Sequence, residues 1–152
     1  MQKISPMLWF DKQAEEAAKY YVSVFKNSKL GKIMRYDTAS SDAAHMPEGS
    51  VLTVAFQLEG QDFTALNGGP QFKFTEAISL VIACEAQAEI DYYWEKLSAL
   101  PEAEACGWLK DKYGVSWQVI PKNWDGLIDT LAGMRALMKM KKIIIADLQN
   151  AR

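Results

Sequence analysis

The sequence has few of the residues that build metal centres and disulfide-stabilised proteins. Among its 152 residues there are two cysteines and one histidine. Cys84 and Cys106 lie far apart, without a CxxC pair, and a chain that is 49% hydrophobic can form a core without a disulfide. We therefore expect both thiols to be reduced.

Long apolar segments are also absent. No window approaches the roughly eighteen consecutive apolar residues of a membrane-spanning helix. Residues 1–6 lack the basic region, apolar run and cleavage site of a signal peptide. We expect a cytoplasmic protein with no membrane partner.

The sequence has no excess of positive charge. The formal net charge is −2, and basic residues cluster only at residues 139–142. A protein that binds a phosphate backbone needs an extended cationic surface, which this pattern does not supply. Nucleic acid is therefore not an expected partner.

The first half of the chain predicts the element order βαβββ. Asp11 precedes an amphipathic segment and is the predicted N-cap of the first helix. The predicted elements are a strand at 3–10, a helix at 14–25, a strand at 29–38, a polar loop at 39–49, and a hairpin of 51–58 and 62–67 that turns at 59–61.

The second half repeats this plan. Its predicted elements are a strand at 77–84, a helix at 87–97, and strands at 106–110 and 115–121. The repetition predicts a single domain with module one at about 1–70, module two at about 71–122 and a helical tail at 123–152, interrupted near Gly133.

Alternation in the predicted strands separates the side chains that pack on helices from those on the opposite, concave face. In the first strand, for example, Leu8 and Phe10 alternate with Met7 and Trp9. The concave faces are predicted to include Ser5, Met7, Trp9, Thr64, Ser79 and Gln118. Neutral polar groups among apolar neighbours are typical of small-molecule pockets.

Two motifs in the central part of the chain carry a family resemblance. They are Leu58-Glu-Gly-Gln-Asp-Phe-Thr-Ala-Leu-Asn-Gly-Gly-Pro70 and Cys106-Gly-Trp-Leu-Lys-Asp-Lys-Tyr-Gly-Val-Ser-Trp-Gln118. With them the chain resembles the PhnB-like, or demethylubiquinone methyltransferase-like, branch of the vicinal oxygen chelate superfamily of glyoxalases, bleomycin-resistance proteins and dioxygenases. The resemblance implies an α+β fold of two βαβββ modules with half-barrel sheets and C-terminal helices.

The same resemblance implies where a metal would be held. Glyoxalase-like relatives use four ligands, and the matching positions here are Ser5, Thr64 (or Phe63), Ser79 and Gln118. Two or three hydroxyls and one amide lack the anionic or imidazole donors that a divalent ion needs. We therefore predict no bound metal and no cofactor. The methyltransferase label also fails at residues 10–13, which lack the glycine-rich turn of a nucleotide-cofactor fold.

Other candidate residues have simpler interpretations. His45 lies in the polar loop without a fixed partner and is interpreted as a surface histidine rather than a catalytic one. Cys106 has only Lys110 and Lys112 nearby to lower its pKa and is interpreted as a structural thiol. Residues 67–70 lack the Lys-Ser/Thr of a P-loop and are predicted to form a turn.

Three functions remain open at this point. The first is a metal-free binding module for a small, partly apolar ligand; its candidate ligand-binding residues are Ser5, Met7, Trp9, Thr64, Ser79, Trp108 and Gln118. The second is a metal-independent isomerase or lyase for a small carbonyl compound, which needs a general base that the inferred pocket does not show. Glu76, Glu59 or Asp111 could serve as that base if the strand assignment is off by one residue, because such a slip exchanges the two faces. The third is a scaffold, suggested only by the methionine-rich tail.

The tail also bears on assembly. Met134, Leu137, Met138 and the run Ile143-Ile144-Ile145 lie beside basic residues and could either complete the core of the monomer or cover a neighbouring protomer. Methionine-rich apolar faces suit adaptable contacts. The resemblance implies pairing of half-barrels across a two-fold axis. A homodimer is therefore the expected state.

Overall fold

The chain forms two compact units, Met1–Lys73 and Phe74–Arg152, each with its own sheet. The computed structural model describes residues 2–151. Within these residues no helix is long and apolar enough to cross a membrane.

The first unit contains a four-stranded mixed sheet. Its elements are β1 (Met7–Phe10), α1 (Ala14–Val24), β2 (Lys29–Arg35), α2 (Thr38–Ala44), β3 (Val51–Leu58) and β4 (Gln61–Asn67). The strand order is β1-β4-β3-β2. β1 runs parallel to β4, and the other neighbouring strands are antiparallel.

Helix α1 packs on one side of this sheet through its apolar face. Tyr21 is buried on that face, and its ring stacks on Phe56 of β3 with 6.2 Å between centroids. The core between helix and sheet also contains Leu8, Phe10, Ala17, Val24, Val54 and Ala65. Burial of these side chains is the main force that holds α1 on the sheet.

The predicted N-cap of α1 is wrong. The helix begins at Ala14, and Gln13 at the cap position makes no side-chain capping bond. The Ala14 N–H instead donates to Asn67 Oδ1 over 2.8 Å. Asn67 therefore caps from β4, which local sequence patterns do not reveal.

Three other boundaries in the first unit differ from the sequence prediction. β1 begins at Met7 rather than at residue 3, and Pro6 has no N–H to donate to a strand ladder. β2 ends at Arg35 rather than near residue 38. The predicted polar loop contains α2, because Asp37 accepts from the Ser40 N–H over 2.8 Å and forms a capping box.

The hairpin of β3 and β4 turns over two residues. Leu58 pairs with Gln61, and Glu59 and Gly60 occupy the turn with φ values of 49° and 77°. Positive φ at both central positions is the requirement of a type I′ hairpin turn.

The second unit contains a three-stranded mixed sheet and the C-terminal helices. Its elements are β5 (Ser79–Cys84), α3 (Gln87–Leu97), a 3₁₀ helix (Pro101–Ala103), β6 (Trp108–Lys110), β7 (Ser116–Pro121), α4 (Trp124–Ile128), α5 (Leu131–Met138) and α6 (Ile145–Gln149). The strand order is β5-β7-β6, with β5 parallel and β6 antiparallel to β7.

The mixed α+β class is confirmed. All three strands predicted from the residues of the second module are present, whereas the resemblance implied a fourth. The described strands of this module give βαββ rather than βαβββ. Between α3 and β6 the chain forms a 3₁₀ helix that starts at Pro101. Proline cannot donate to a strand ladder.

Helix α3 packs on the second sheet. Ile90, Tyr93 and Leu97 of α3 are buried, as are Leu109, Trp117 and Val119 on the sheet. Asp111, 1% exposed, supports this core by accepting from Trp117 Nε1 over 2.8 Å and from the Val115 N–H.

Residues that follow α5 attach to α3 through Gln87. The Gln87 side chain donates to Ile143 O over 2.9 Å and accepts from the Ile145 N–H over 2.8 Å. The helical tail is interrupted close to the predicted place, at residues 129–130 between α4 and α5. Gly133 itself lies inside α5, and its N–H donates to the N-cap Thr130. A Cβ there would lie 2.5 Å from Leu127 O.

Candidate functional site

Each sheet has a face opposite its helix, and the predicted ligand-binding residues divide between these two faces. We call the face of the first sheet opposite α1 the first face, and the face of the second sheet opposite α3 the second face. Strand register assigns Met7, Trp9, Thr64 and Leu66 to the first face. It assigns Ser79, Trp108, Lys110, Ser116 and Gln118 to the second.

On the first face the structure brings Met7 and Thr64 together. Their Cα atoms are paired across β1 and β4, and Met7 is 59% exposed. Ser5 is exposed and lies two residues before β1, outside the sheet. The alternative position Phe63 stacks on Phe56, whose ring belongs to the helix side, with 5.3 Å between centroids.

Trp9 is held in place by the turn that follows β4. Its Nε1 donates to Gly69 O over 2.9 Å, and its ring meets Phe72 edge to face at 4.9 Å. A Cβ at Gly68 would lie 2.3 Å from the Trp9 ring, so this position has room for glycine alone. Gly68 thus serves close packing against a tryptophan, whereas Gly69 has a positive φ of 97° that favours glycine.

On the second face the structure brings three predicted residues together. Gln118 Nε2 donates to Ser79 Oγ over 3.0 Å. The Cα of Gln118 pairs with that of Trp108 on the neighbouring strand. These residues therefore form a continuous patch in which an amide and a hydroxyl lie beside an indole.

A cavity of about 330 Å³ adjoins this patch. Its apolar wall includes Trp108 together with Leu100 and Ala103 from the segment around the 3₁₀ helix. Its polar wall includes Glu76, Lys110 and Ser116. The volume is within the range of about 300–1,000 Å³ that ligand pockets commonly have.

An ion pair lies at the edge of the cavity. Lys110 Nζ contacts Glu76 Oε1, and the side chains are 24% and 64% exposed respectively. The hydrogen bond from Lys110 is the largest cause that lowers the pKa of the Glu76 carboxyl. Glu76 is therefore anionic at neutral pH and pairs with the ammonium group.

The Ser116 hydroxyl is the unusual group of this cavity. Ser116 is 1% exposed, and its Oγ has no hydrogen-bond partner within residues 2–151. Leaving a buried hydroxyl unpaired costs about 1–3 kcal/mol, so such groups call for an explanation.

Trp108 also has a free donor. The indole N–H groups of Trp9, Trp94 and Trp117 each donate to a protein oxygen. In the part of the chain that the structure describes, the indole N–H of Trp108 has no such partner. Two residues that line the cavity, Trp108 and Ser116, thus each carry a donor with no acceptor among the described residues.

The four positions that match glyoxalase metal ligands do not fit a divalent ion. Ser5, Thr64, Ser79 and Gln118 offer neutral oxygens only, and the Gln118 amide is bonded to Ser79. Among the described residues, no group of three or more His, Cys, Asp or Glu side chains is arranged to hold a metal. The donor set therefore argues against glyoxalase-type metal chemistry at these positions.

The remaining candidates lie away from the cavity or are engaged in structure. His45 is exposed at the C-cap of α2 with φ 56°. Asp111 is satisfied by the hydrogen bonds of its own loop and Trp117, and Glu59 occupies the exposed hairpin turn. Burial raises the pKa of the Cys84 thiol to about 12, so it is a structural thiol.

The binding candidates chosen from the sequence included Trp108 but not Ser116, Lys110, Leu100 or Ala103, which also line the cavity. Ser116 lies two residues before Gln118 in β7, so strand alternation does assign both side chains to the same face. The pairing of Glu76 with Lys110 joins residues far apart in the chain. Local pattern does not report contacts of that kind.

The comparisons with known proteins place the chain in a family. The family model described as 3-demethylubiquinone-9 3-methyltransferase matches residues 2–120. The chain belongs to this family. A PhnB protein from Bacillus cereus is 37% identical, with a TM-score of 0.64 over 78% of this chain and 99% of that chain. The PhnB-like resemblance is thereby confirmed.

More distant solved structures show the fold alone. A Pseudomonas aeruginosa protein is 17% identical, with a TM-score of 0.58 over 80% of this chain and 98% of that chain. An Arabidopsis thaliana gene product is 16% identical, with a TM-score of 0.50 over 78% of this chain and 98% of that chain. No curated protein matches the sequence. The glyoxalase-like fold is confirmed, while the family's methyltransferase name is a label.

Proposed function

We propose that this PhnB-family chain binds a small, partly apolar molecule in the cavity of the second face, without a metal ion. The observation that carries the proposal is the cavity of about 330 Å³ that Trp108 lines together with apolar and polar side chains. An apolar wall with a few polar groups is the usual composition of a small-molecule site. The Ser79–Gln118 pair borders Trp108 and is positioned to orient a ligand that extends along the sheet.

The first face is the weaker part of this proposal. Met7 and Thr64 supply a mixed apolar and polar surface there. Trp9, however, already uses its indole N–H on Gly69 O and its ring on Phe72. Ligand binding through Trp9 would therefore rest on its exposed ring surface alone.

The enzymatic alternative is a metal-independent isomerase or lyase that acts on a small carbonyl compound. Of the three carboxylates considered as a base, only Glu76 borders the cavity. Its pairing with Lys110 lowers the pKa of Glu76, which makes it a poor proton acceptor near neutral pH. The binding module is thus the better-supported function.

A methyltransferase reaction that uses a nucleotide cofactor is not supported. Such enzymes bind the cofactor at a parallel, doubly wound sheet. Both sheets of this chain are small, mixed and partly antiparallel in the described residues. The family name should therefore not direct substrate tests.

Homodimer formation remains part of the proposal. Helix α5 presents exposed Leu131, Met134 and Met138, which are 67%, 39% and 66% exposed. Sedimentation at micromolar concentration should give a dimer mass. A monomer at that concentration would contradict this assignment.

A thermal-shift screen of small, uncharged aromatic and carbonyl compounds tests the binding proposal. At a hundred times its Kd a ligand stabilises the folded state by about 2.7 kcal/mol, which raises the Tm by about 5–10 °C for a chain of this size. Trp108→Ala should abolish the shift. The control Trp124→Ala changes another half-buried tryptophan, on α4, and should retain it.

Two results would contradict the proposal. One is a library without a stabilising compound, and the other is a ligand whose shift survives Trp108→Ala. A ligand that is unaffected by both Ser79→Ala and Gln118→Ala would show that the patch beside the cavity takes no part. Turnover of a bound carbonyl compound, lost in Glu76→Gln, would instead favour the enzymatic alternative.

A further inference from the structure

We propose that the cavity of the second face selects an uncharged, planar molecule whose carbonyl or hydroxyl oxygen bonds to the Ser116 hydroxyl, and that it rejects small anions. The inference rests on the proposed function, since it names the ligand class for the same cavity. It concerns Ser116, Lys110, Glu76, Glu102 and Trp108.

The first step is the position of Ser116. It is the first residue of β7, the central strand of the sheet, and its Cα pairs with Ser79 on one side and Lys110 on the other. It lines the cavity while 1% exposed, and its Oγ is unpaired within residues 2–151. The Oγ is covered by neighbouring atoms, so a ligand oxygen that displaces them and bonds to this hydroxyl would satisfy a group that the protein itself leaves unsatisfied.

The second step is charge. Lys110 is the one cationic side chain among the residues that line the cavity, and it is paired with Glu76. Glu102 also lines the cavity, so the formal charge of the lining is −1, from one lysine and two glutamates. A small anion would have to displace Glu76 from Lys110 and approach a second carboxylate, which Coulomb repulsion disfavours.

The third step is shape. Trp108, Leu100 and Ala103 supply the apolar lining, and Trp108 is its one aromatic ring. A planar group stacks well on such a ring. The indole N–H of Trp108, without a partner among the described residues, is a second donor for an acceptor on the ligand.

Four compounds of similar size and shape separate the contribution of the ligand oxygen from that of a negative charge. Ethylbenzene has the ring alone, acetophenone adds a carbonyl oxygen, 1-phenylethanol adds a hydroxyl, and benzoate adds a negative charge. Each is titrated into the ¹⁵N-labelled full chain, and the indole N–H resonance of Trp108, assigned with Trp108→Phe, reports binding. The indole of Trp117, buried on the helix side of the same sheet, is the internal control.

We expect the affinities of the four compounds to differ according to the oxygen that each carries, because all four share the same phenyl ring. Acetophenone and 1-phenylethanol should bind about 2- to 12-fold more tightly than ethylbenzene, which is the value of one net hydrogen bond. Benzoate should bind more weakly than acetophenone. Ser116→Ala, which removes only the unpaired hydroxyl, should lower the affinity for acetophenone toward that for ethylbenzene and leave ethylbenzene unchanged.

The wild-type series tests the inference without any variant. Tightest binding by benzoate, equal binding by all four compounds, or no movement of the Trp108 resonance would each overturn it. If Ser116→Ala still prefers acetophenone over ethylbenzene by the same factor, the inference is also overturned, because the ligand oxygen then does not bond to the Ser116 hydroxyl. The binding proposal falls on separate grounds, namely a library screen without a Trp108-dependent ligand.

Discussion

Replacement of Asn67 by alanine should destabilise the first unit more than an ordinary surface substitution. Asn67 is 5% exposed, and its side chain joins three elements. Its Oδ1 accepts from the Ala14 N–H at the start of α1, and its Nδ2 donates to Val51 O at the start of β3 over 3.1 Å. The substitution leaves a buried donor and an acceptor without partners.

The magnitude follows from these two bonds. Loss of a helix cap costs about 0.5–2 kcal/mol. A buried polar group left unpaired costs about 1–3 kcal/mol. We expect Asn67→Ala to lower the free energy of unfolding by about 2–4 kcal/mol, a large part of the roughly 5–15 kcal/mol that a domain commonly has.

Urea unfolding followed by circular dichroism measures this change. Asn123→Ala is the matched control, because Asn123 is at the cap position of α4 but makes no side-chain capping bond. It should change the unfolding free energy by less than about 0.5 kcal/mol. If Asn67→Ala costs no more than this control, the assignment of Asn67 as the cap of α1 is refuted.

Two further predictions concern packing and pH. Gly68→Ala should displace the Trp9 ring and alter its fluorescence, since the new Cβ would lie 2.3 Å from the ring. The control Gly126→Ala in α4 should leave the fluorescence unchanged, because its Cβ would meet no atom within 4 Å. Equal effects of the two substitutions would refute the packing argument. Burial, with the charge of Glu89, raises the pKa of Cys84 from 9.0 to about 12. The unfolded chain therefore loses this proton first, and stability should fall above pH 9 by up to about 1.4 kcal/mol per pH unit. Urea titrations should show a shallower fall for Cys84→Ala, and identical slopes would contradict the assignment.

Sequence alternation predicted which strand residues pack on the helices. In β1, Leu8 and Phe10 are buried, while Met7 is exposed and Trp9 half-buried. Alternation is a reliable signal where one face of a sheet packs on a helix, because successive side chains point to opposite faces.

Features that depend on distant residues were not predictable from the same patterns. Asn67 caps a helix whose first residue lies 53 positions earlier, and Glu76 pairs with Lys110 of another strand. Helix α2 is different, since Asp37 and Ser40 carried a local capping signal that sequence reading overlooked. In the second module the residues themselves indicated the three strands that form, and only the repeated plan and the family resemblance implied a fourth.

The central claim is that the cavity beside Trp108 binds a small molecule through protein side chains alone. A crystal structure of the protein soaked with acetophenone and manganese chloride tests it most directly. We predict acetophenone against the Trp108 ring, with its oxygen within hydrogen-bond distance of Ser116 Oγ and no manganese ion in contact with it. Acetophenone held through a manganese ion at Gln118, or bound only away from Trp108, would contradict the claim.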